Sequence, residues 1–130
     1  MDKDKLAATI VDGLELKTDM GREIVLVALD CIKLFDDKQQ DYGSDNIAAT
    51  RQIGIAVRLQ DKVARMRHIL MKSIRGDDNI NNESLADTYK DVANYGMIGW
   101  ILHKGKWKWV KKMDDEAGLF LAAAVIEQGV

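Results

Sequence analysis

The chain has 130 residues, of which 47% are apolar and 31% charged, the balance of a globular domain rather than a disordered chain. Its formal net charge of −2 argues against nucleic acid as a general partner. A single cysteine, Cys31, excludes an internal disulfide and fits the reducing cytoplasm. The first residues lack the pattern of a signal peptide, and no apolar run approaches about 18 residues, so we expect no membrane association.

Apolar spacing and the absence of proline predict an all-α fold, a compact bundle of about four to five helices in one domain, residues 1–130. The first helix is predicted from Leu6 to Leu16. The second begins with Thr18 or Asp19 as its N-cap and runs to about Gln40. Residues 24–29 are apolar on every side, so a central β-strand is the alternative to a helix there. The helical spacing that follows favours a helix enclosed in a bundle core or a subunit interface.

Two long helices are predicted in the second half of the chain. One spans Ile47 to Ser73 after a turn-rich loop, with a break at Gly54, and the other spans Asn82 to His103. The 3.6-residue period predicts a core face on each of them. These faces comprise Leu59, Val63, Met66, Leu70 and Ile74 on the earlier helix, and Leu85, Tyr89, Val92, Gly96 and Trp100 on the later one. The later helix is apolar all round past Asn94, which predicts that its second half is enclosed.

A basic segment, Lys104–Lys112, leads to a last apolar helix, Ala117–Ile126. Its lysines and two tryptophans suit single-stranded nucleic acid or a membrane interface. A connector whose tryptophans cap the core while the lysines stay in water is the favoured interpretation.

Acidic residues form one stripe on the predicted Asn82–His103 helix, because Glu83, Asp87, Asp91 and Asn94 follow at intervals of four, four and three. Stacked carboxylates repel each other, and a divalent cation such as Mg²⁺ would relieve that repulsion. A solvated face relieved by nearby lysines is the alternative. Zinc is not expected, since His68 and His103 lack ligand spacing to each other or to Cys31.

The preceding helix carries a basic stripe, formed by Arg58, Asp61, Arg65, His68 and Lys72 with Lys62 beside it. A solvated helix face is again the alternative. The short loop between the helices predicts antiparallel packing, which would place both stripes beside one cleft. There the acids could hold metal and the bases phosphate oxygens.

Three ordered motifs carry a family resemblance over about residues 38–104. They are Lys38-Gln-Gln-Asp-Tyr-Gly-Ser44, Val57-Arg-Leu-Gln-Asp-Lys-Val-Ala-Arg65 and Asn82-Glu-Ser-Leu-Ala-Asp-Thr-Tyr-Lys-Asp-Val-Ala-Asn-Tyr95. They resemble the nucleotide modification associated domain, type one, of phages and bacteria. That family is similar to the MazG-like all-α NTP pyrophosphatases. The resemblance implies Mg²⁺-dependent hydrolysis of a possibly modified deoxynucleoside triphosphate to monophosphate and pyrophosphate.

The resemblance also implies roles for individual residues. Metal would be held by Glu83, Asp87 and Asp91, and the attacking water would be oriented by Asp61 or Glu83. The substrate would be bound by Lys38, Tyr42, Arg58, Lys62, Arg65 and Asn94, with Tyr42 and Asn94 at the base or ribose. A packing tyrosine and a helix-buried amide are the alternatives for these two residues. It further implies a homo-oligomer, dimer or tetramer, in the cytoplasm of a bacterial or phage-infected cell.

The first acidic motif departs from the pyrophosphatases, which usually carry a pair of glutamates there. This chain has Arg58 and Asp61-Lys62 at that place. The departure motivates a second hypothesis, a non-catalytic phage protein that sequesters nucleotides or cyclic nucleotide defence signals.

Overall fold

The computed structural model describes residues 2–76, 82–108 and 127, with only the backbone of 82–84. Those residues form the helices α1 (Lys3–Gly13), α2 (Asp19–Tyr42), α3 (Asp45–Ile74) and α4 (Asn82–His103) and contain no strand. The all-α prediction is therefore confirmed. No helix in this part of the chain is long and apolar enough to cross a membrane. The predicted helix Ala117–Ile126 lies outside the described residues.

The contacts divide the chain into two compact units, Met1–Asp41 and Tyr42–Val130. The first holds α1 and almost all of α2, and the second holds α3 and α4. The single domain expected from chain length stays a prediction.

The first helix begins and ends three residues earlier than predicted. Asp2 caps its start, because its side chain accepts a hydrogen bond from the Asp4 amide at 2.8 Å. Past its end Glu15 adopts a positive φ of 56°, and the Leu16 amide donates to the Val11 carbonyl at 3.0 Å. This closure satisfies a terminal carbonyl in the manner of a Schellman motif, with glutamate where glycine is usual.

The second helix confirms the predicted cap, since the Oγ1 of Thr18 accepts from the Gly21 amide at 2.9 Å. Residues 24–29 are helical, so the strand alternative is wrong. Val25 is buried, but Ile24 and Val27 are 66% and 54% exposed. The described residues therefore do not enclose this segment in a core, and the subunit interface stays a prediction.

The third helix breaks at Arg51 rather than at Gly54. Arg51 has φ 58° and ψ −147°, and its side chain is buried. A Cβ on Gly54 would overlap the Cβ and Oγ1 of Thr50, one turn earlier. The glycine thus makes room for a side chain displaced by the kink instead of forming the kink.

The apolar face predicted for α3 is also wrong in its second half, because Val63, Leu70 and Ile74 are exposed.

The predicted core face of α4 is wrong in part: Leu85 and Val92 are partly buried, but the face that the helix buries most is centred about a third of a turn away. Tyr89, Gly96 and Trp100 are exposed, and so is Met97, which contradicts the expected enclosure of the second half. The face that α4 buries or partly buries instead comprises Thr88, Asp91, Asn94, Tyr95, Ile98 and Leu102. This face alternates steps of three and four residues, but it contains polar side chains that a search for apolar periodicity passes over.

Helices α3 and α4 pack antiparallel, as predicted. The Nε1 of Trp107, just beyond α4, donates to the carbonyl of Ser44 at the start of α3 at 3.0 Å. Farther along, a Cβ on Gly99 would lie 3.5 Å from the Cγ2 of Ile55. Asp91 then meets Lys62 near the middle of α3. Residues that come later along α3 therefore contact residues that come earlier along α4.

Candidate functional site

Four predicted site residues lie on the facing sides of α3 and α4, and we call this group the α3–α4 seam: Arg58, Lys62, Asp91 and Asn94. Lys62 pairs with Asp91, and the helices are antiparallel. One turn back on α3 is Arg58, and about one turn forward on α4 is Asn94, so these two occupy facing positions.

The centre of the seam is an ion pair, in which the Nζ of Lys62 lies 2.9 Å from the Oδ2 of Asp91. The two side chains are 24% and 16% exposed, so the pair is only partly open to water. The predicted basic and acidic stripes thus touch here. They do not flank an open cleft at this point.

The guanidinium of Arg58 lies deeper than that of an ordinary surface arginine. Its Nη1 is buried and donates to no acceptor among the residues that the structure describes. A buried donor without an acceptor costs about 1–3 kcal/mol, more when the group is charged. An oxygen atom of an anionic ligand would remove that cost.

The α4 side of the seam is polar and closed. Asn94 is 6% exposed and Thr88 is 2% exposed. Both residues also take part in interactions within the chain, which hold them in place.

The remaining predicted site residues of the second unit are less enclosed. Asp61 and Arg65 are exposed on α3, and Asp87 is exposed one turn before Asp91 on α4. Tyr42, where this unit begins, is also exposed. The side chain of Glu83 lies outside the described residues. Its predicted catalytic and metal roles therefore stay predictions.

Lys38 belongs to the first unit, where it is an exposed residue near the end of α2. Its predicted contact with a substrate stays a prediction.

The described residues contain no cluster of three metal-binding side chains, and one of the two described carboxylates of the α4 stripe, Asp91, is held by Lys62. Mg²⁺ would have to compete with an ammonium group at 2.9 Å.

Two sets of residues escaped the sequence prediction. Arg51 is buried at the kink of α3, which only its backbone conformation reveals. Arg67 and Arg75 join His68 and Lys72 on the outer side of α3, where they line a groove. A count of acids would have found this second set, since residues 62–76 contain none of the 21 Asp and Glu.

The start of the basic segment behaves as a connector. Trp107 is buried, while Lys104, Lys106 and Lys108 are exposed. The Nζ of Lys104 also lies 4.9 Å from the ring centre of Trp100. The interpretation of this segment as a connector therefore holds for residues 104–108. The remainder of the segment lies outside the described residues.

Comparison of the chain with protein-family models, with curated proteins and with solved structures finds no match. The resemblance to the nucleotide modification associated domain stays a prediction based on the three motifs.

Proposed function

We propose that the protein binds a nucleotide through its phosphate groups at the α3–α4 seam. The buried Nη1 of Arg58, a cationic donor without an acceptor among the described residues, is the observation that carries the proposal. Phosphate oxygens are strong acceptors that match the fork of a guanidinium.

The charge of the seam supports a phosphate rather than a neutral ligand. Lys62 stands one turn from Arg58 on α3, and Arg65 follows one turn later. Asp91 neutralises Lys62 in the ion pair at the centre of the seam. An incoming phosphate would compete with this carboxylate for the ammonium group and would gain the arginine donor as well.

The nucleoside part of the ligand is the finer proposal. The amide of Asn94 and the phenol of Tyr42 are the groups that we assign to base or ribose, following the resemblance. Asn94 is assigned this role because it occupies the position on α4 that faces Arg58 on α3. Tyr42 can stack on a base because its ring is exposed.

Hydrolysis with Mg²⁺ is the more specific proposal, and sequestration without turnover is its alternative. Asp87 and Asp91, four residues apart on α4, support the first. The Lys62–Asp91 ion pair supports the second, because it occupies a carboxylate that the metal would need.

Calorimetric titration with the four canonical dNTPs and with base-modified dNTPs, each in EDTA and in Mg²⁺, tests the proposal. Sequestration predicts metal-independent binding with the ligand recovered intact. Hydrolysis predicts pyrophosphate release in Mg²⁺ only, and loss of that release in Asp87→Asn. If no nucleotide binds in either buffer, the proposed function is wrong.

The variant Lys62→Gln separates the two alternatives further. It removes the ammonium group from the carboxylate of Asp91, so a Mg²⁺ site on α4 would bind the metal more tightly than in the wild type, while nucleotide binding in EDTA would weaken. Unchanged Mg²⁺ affinity would contradict the metal-dependent alternative.

A further inference from the structure

The outer side of α3 carries a basic groove, formed by Ala64, Arg67, His68, Met71, Lys72 and Arg75, with a volume of about 460 Å³. All six residues are exposed. At 100° per residue, the groove is centred roughly opposite Ile55 and Lys62, which face α4. It is therefore separate from the α3–α4 seam.

The groove contains four basic residues, Arg67, His68, Lys72 and Arg75. None of them forms an ion pair with another residue that the structure describes. Residues 64–76 hold four of the 19 Lys and Arg and none of the 21 Asp and Glu, although the chain as a whole is acidic. Such segregation concentrates a positive field on one stretch of helix, where it attracts an extended anion.

We infer that the basic groove binds the phosphate backbone of a nucleic acid without reading its sequence. The basic positions of the groove recur along α3, and the stretch from residue 67 to residue 75 is about 12 Å long at 1.5 Å per residue. A linear array of cations of this length suits a linear array of phosphates, of which one strand presents one per about 3.4 Å of axis.

The composition of the groove favours a nucleic acid over a membrane surface. Met71 is its only large apolar side chain. The exposed apolar residues Val63, Leu70 and Ile74 are centred about 120° around the helix from the basic side chains. Interfacial helices require a wide apolar face for insertion, and this groove offers mainly charge.

Fluorescence anisotropy with a labelled mixed-sequence DNA duplex, and with one of its strands alone, tests this inference on the full chain. We expect a Kd of about 10⁻⁴ to 10⁻⁶ M. The affinity should decrease as salt is added, because the contacts are made to phosphates. The variant Arg67→Gln/Lys72→Gln should bind about tenfold or more weakly, and its slope of log K against log salt should be shallower by about 1 per lost contact.

The matched control is Lys17→Gln/Arg22→Gln, which removes the same charge from exposed residues of the first unit and should bind as the wild type does. Arg58→Gln should also leave DNA binding unchanged, which keeps this test apart from that of nucleotide binding. Thermal unfolding followed by circular dichroism verifies that each variant is folded.

Three results would overturn the inference. The first is the absence of binding to either DNA at low salt. The second is an equal loss in the groove variant and in the control, which would mean that only net charge matters. The third is equal or stronger binding to anionic vesicles, or equal competition by polyglutamate at matched charge, which would assign the groove to a lipid or protein partner.

Discussion

Glu15 holds a backbone conformation that glycine normally provides at the end of a helix. Its φ of 56° closes α1, while Gly13, two residues earlier, is still helical. A side chain in this region meets its own backbone, at a cost of about 1 kcal/mol relative to glycine. The conformation persists because the Leu16 amide and the Val11 carbonyl are paired by it.

We predict that Glu15→Gly raises the free energy of unfolding by about 0.5–1 kcal/mol, because it removes this strain. Urea unfolding followed by circular dichroism measures the change. Glu15→Ala is the control, since it removes the same carboxylate and keeps a Cβ. Equal stabilisation by both variants would assign the gain to charge and contradict the account of strain.

At the seam, residue type and spacing were enough to predict which residues lie there. They were not enough to predict which side chains pair with each other. Lys62 and Asp91 were assigned to phosphate and metal because each stands in a stripe of like residues. The structure joins them to each other. Sequence spacing defines a face along one helix, whereas the partner of a side chain depends on the register between two helices.

At the scale of the element, Gly54 and Gly96 are both helical glycines, yet their surroundings differ. Gly54 is packed against the side chain of Thr50, whereas a Cβ on Gly96 would meet nothing within 4 Å. One glycine is thus required by packing, and the other only weakens its helix.

Gly54→Ala is expected to destabilise the protein by about 1–3 kcal/mol, since Thr50 or the kink at Arg51 must move. Gly96→Ala is the matched control and should stabilise by about 0.5–1 kcal/mol through helix propensity. Thermal and urea unfolding of both variants provide the comparison. A Gly54→Ala protein as stable as the wild type would show that Thr50 does not constrain α3.

The sequence was enough to predict where the helices lie along the chain. It was not enough to predict which face of each helix is buried. Caps such as Thr18 and the lack of proline were enough to predict α2, α3 and α4 to within a few residues. The buried face of α4 was mispredicted because Thr88, Asp91 and Asn94 occupy positions that apolar periodicity assigns to water. Polar groups enter such a face where they find partners on the other helix, which only tertiary structure provides.

At the scale of the molecule, charge is divided between the two units. Residues 1–41 contain six Lys and Arg against ten Asp and Glu, a net −4, and the remaining residues contain thirteen against eleven, a net +2. The overall −2 therefore conceals a basic second unit. The expectation that nucleic acid is not a partner was based on the net charge of the whole chain. The basic groove on α3 is positively charged, so the expectation does not apply to it.

Exposed apolar residues raise the question of assembly at the same scale. Ile24 and Val27 on α2, and Met97 and Trp100 on α4, lie open in the single chain. The predicted homo-oligomer would cover such surfaces. This remains a proposal, and it can be examined by sedimentation at several protein concentrations.

Binding of a nucleotide at the α3–α4 seam is the central claim, and a pair of arginine variants tests it most directly. Arg58→Gln and Arg67→Gln change the same charge on opposite sides of α3. Calorimetric titration in EDTA with the tightest-binding dNTP should show Arg58→Gln weakened by at least about tenfold, near 1.4 kcal/mol, and Arg67→Gln unchanged within about twofold. Equal affinity of Arg58→Gln and the wild type, with both proteins folded, would contradict the account.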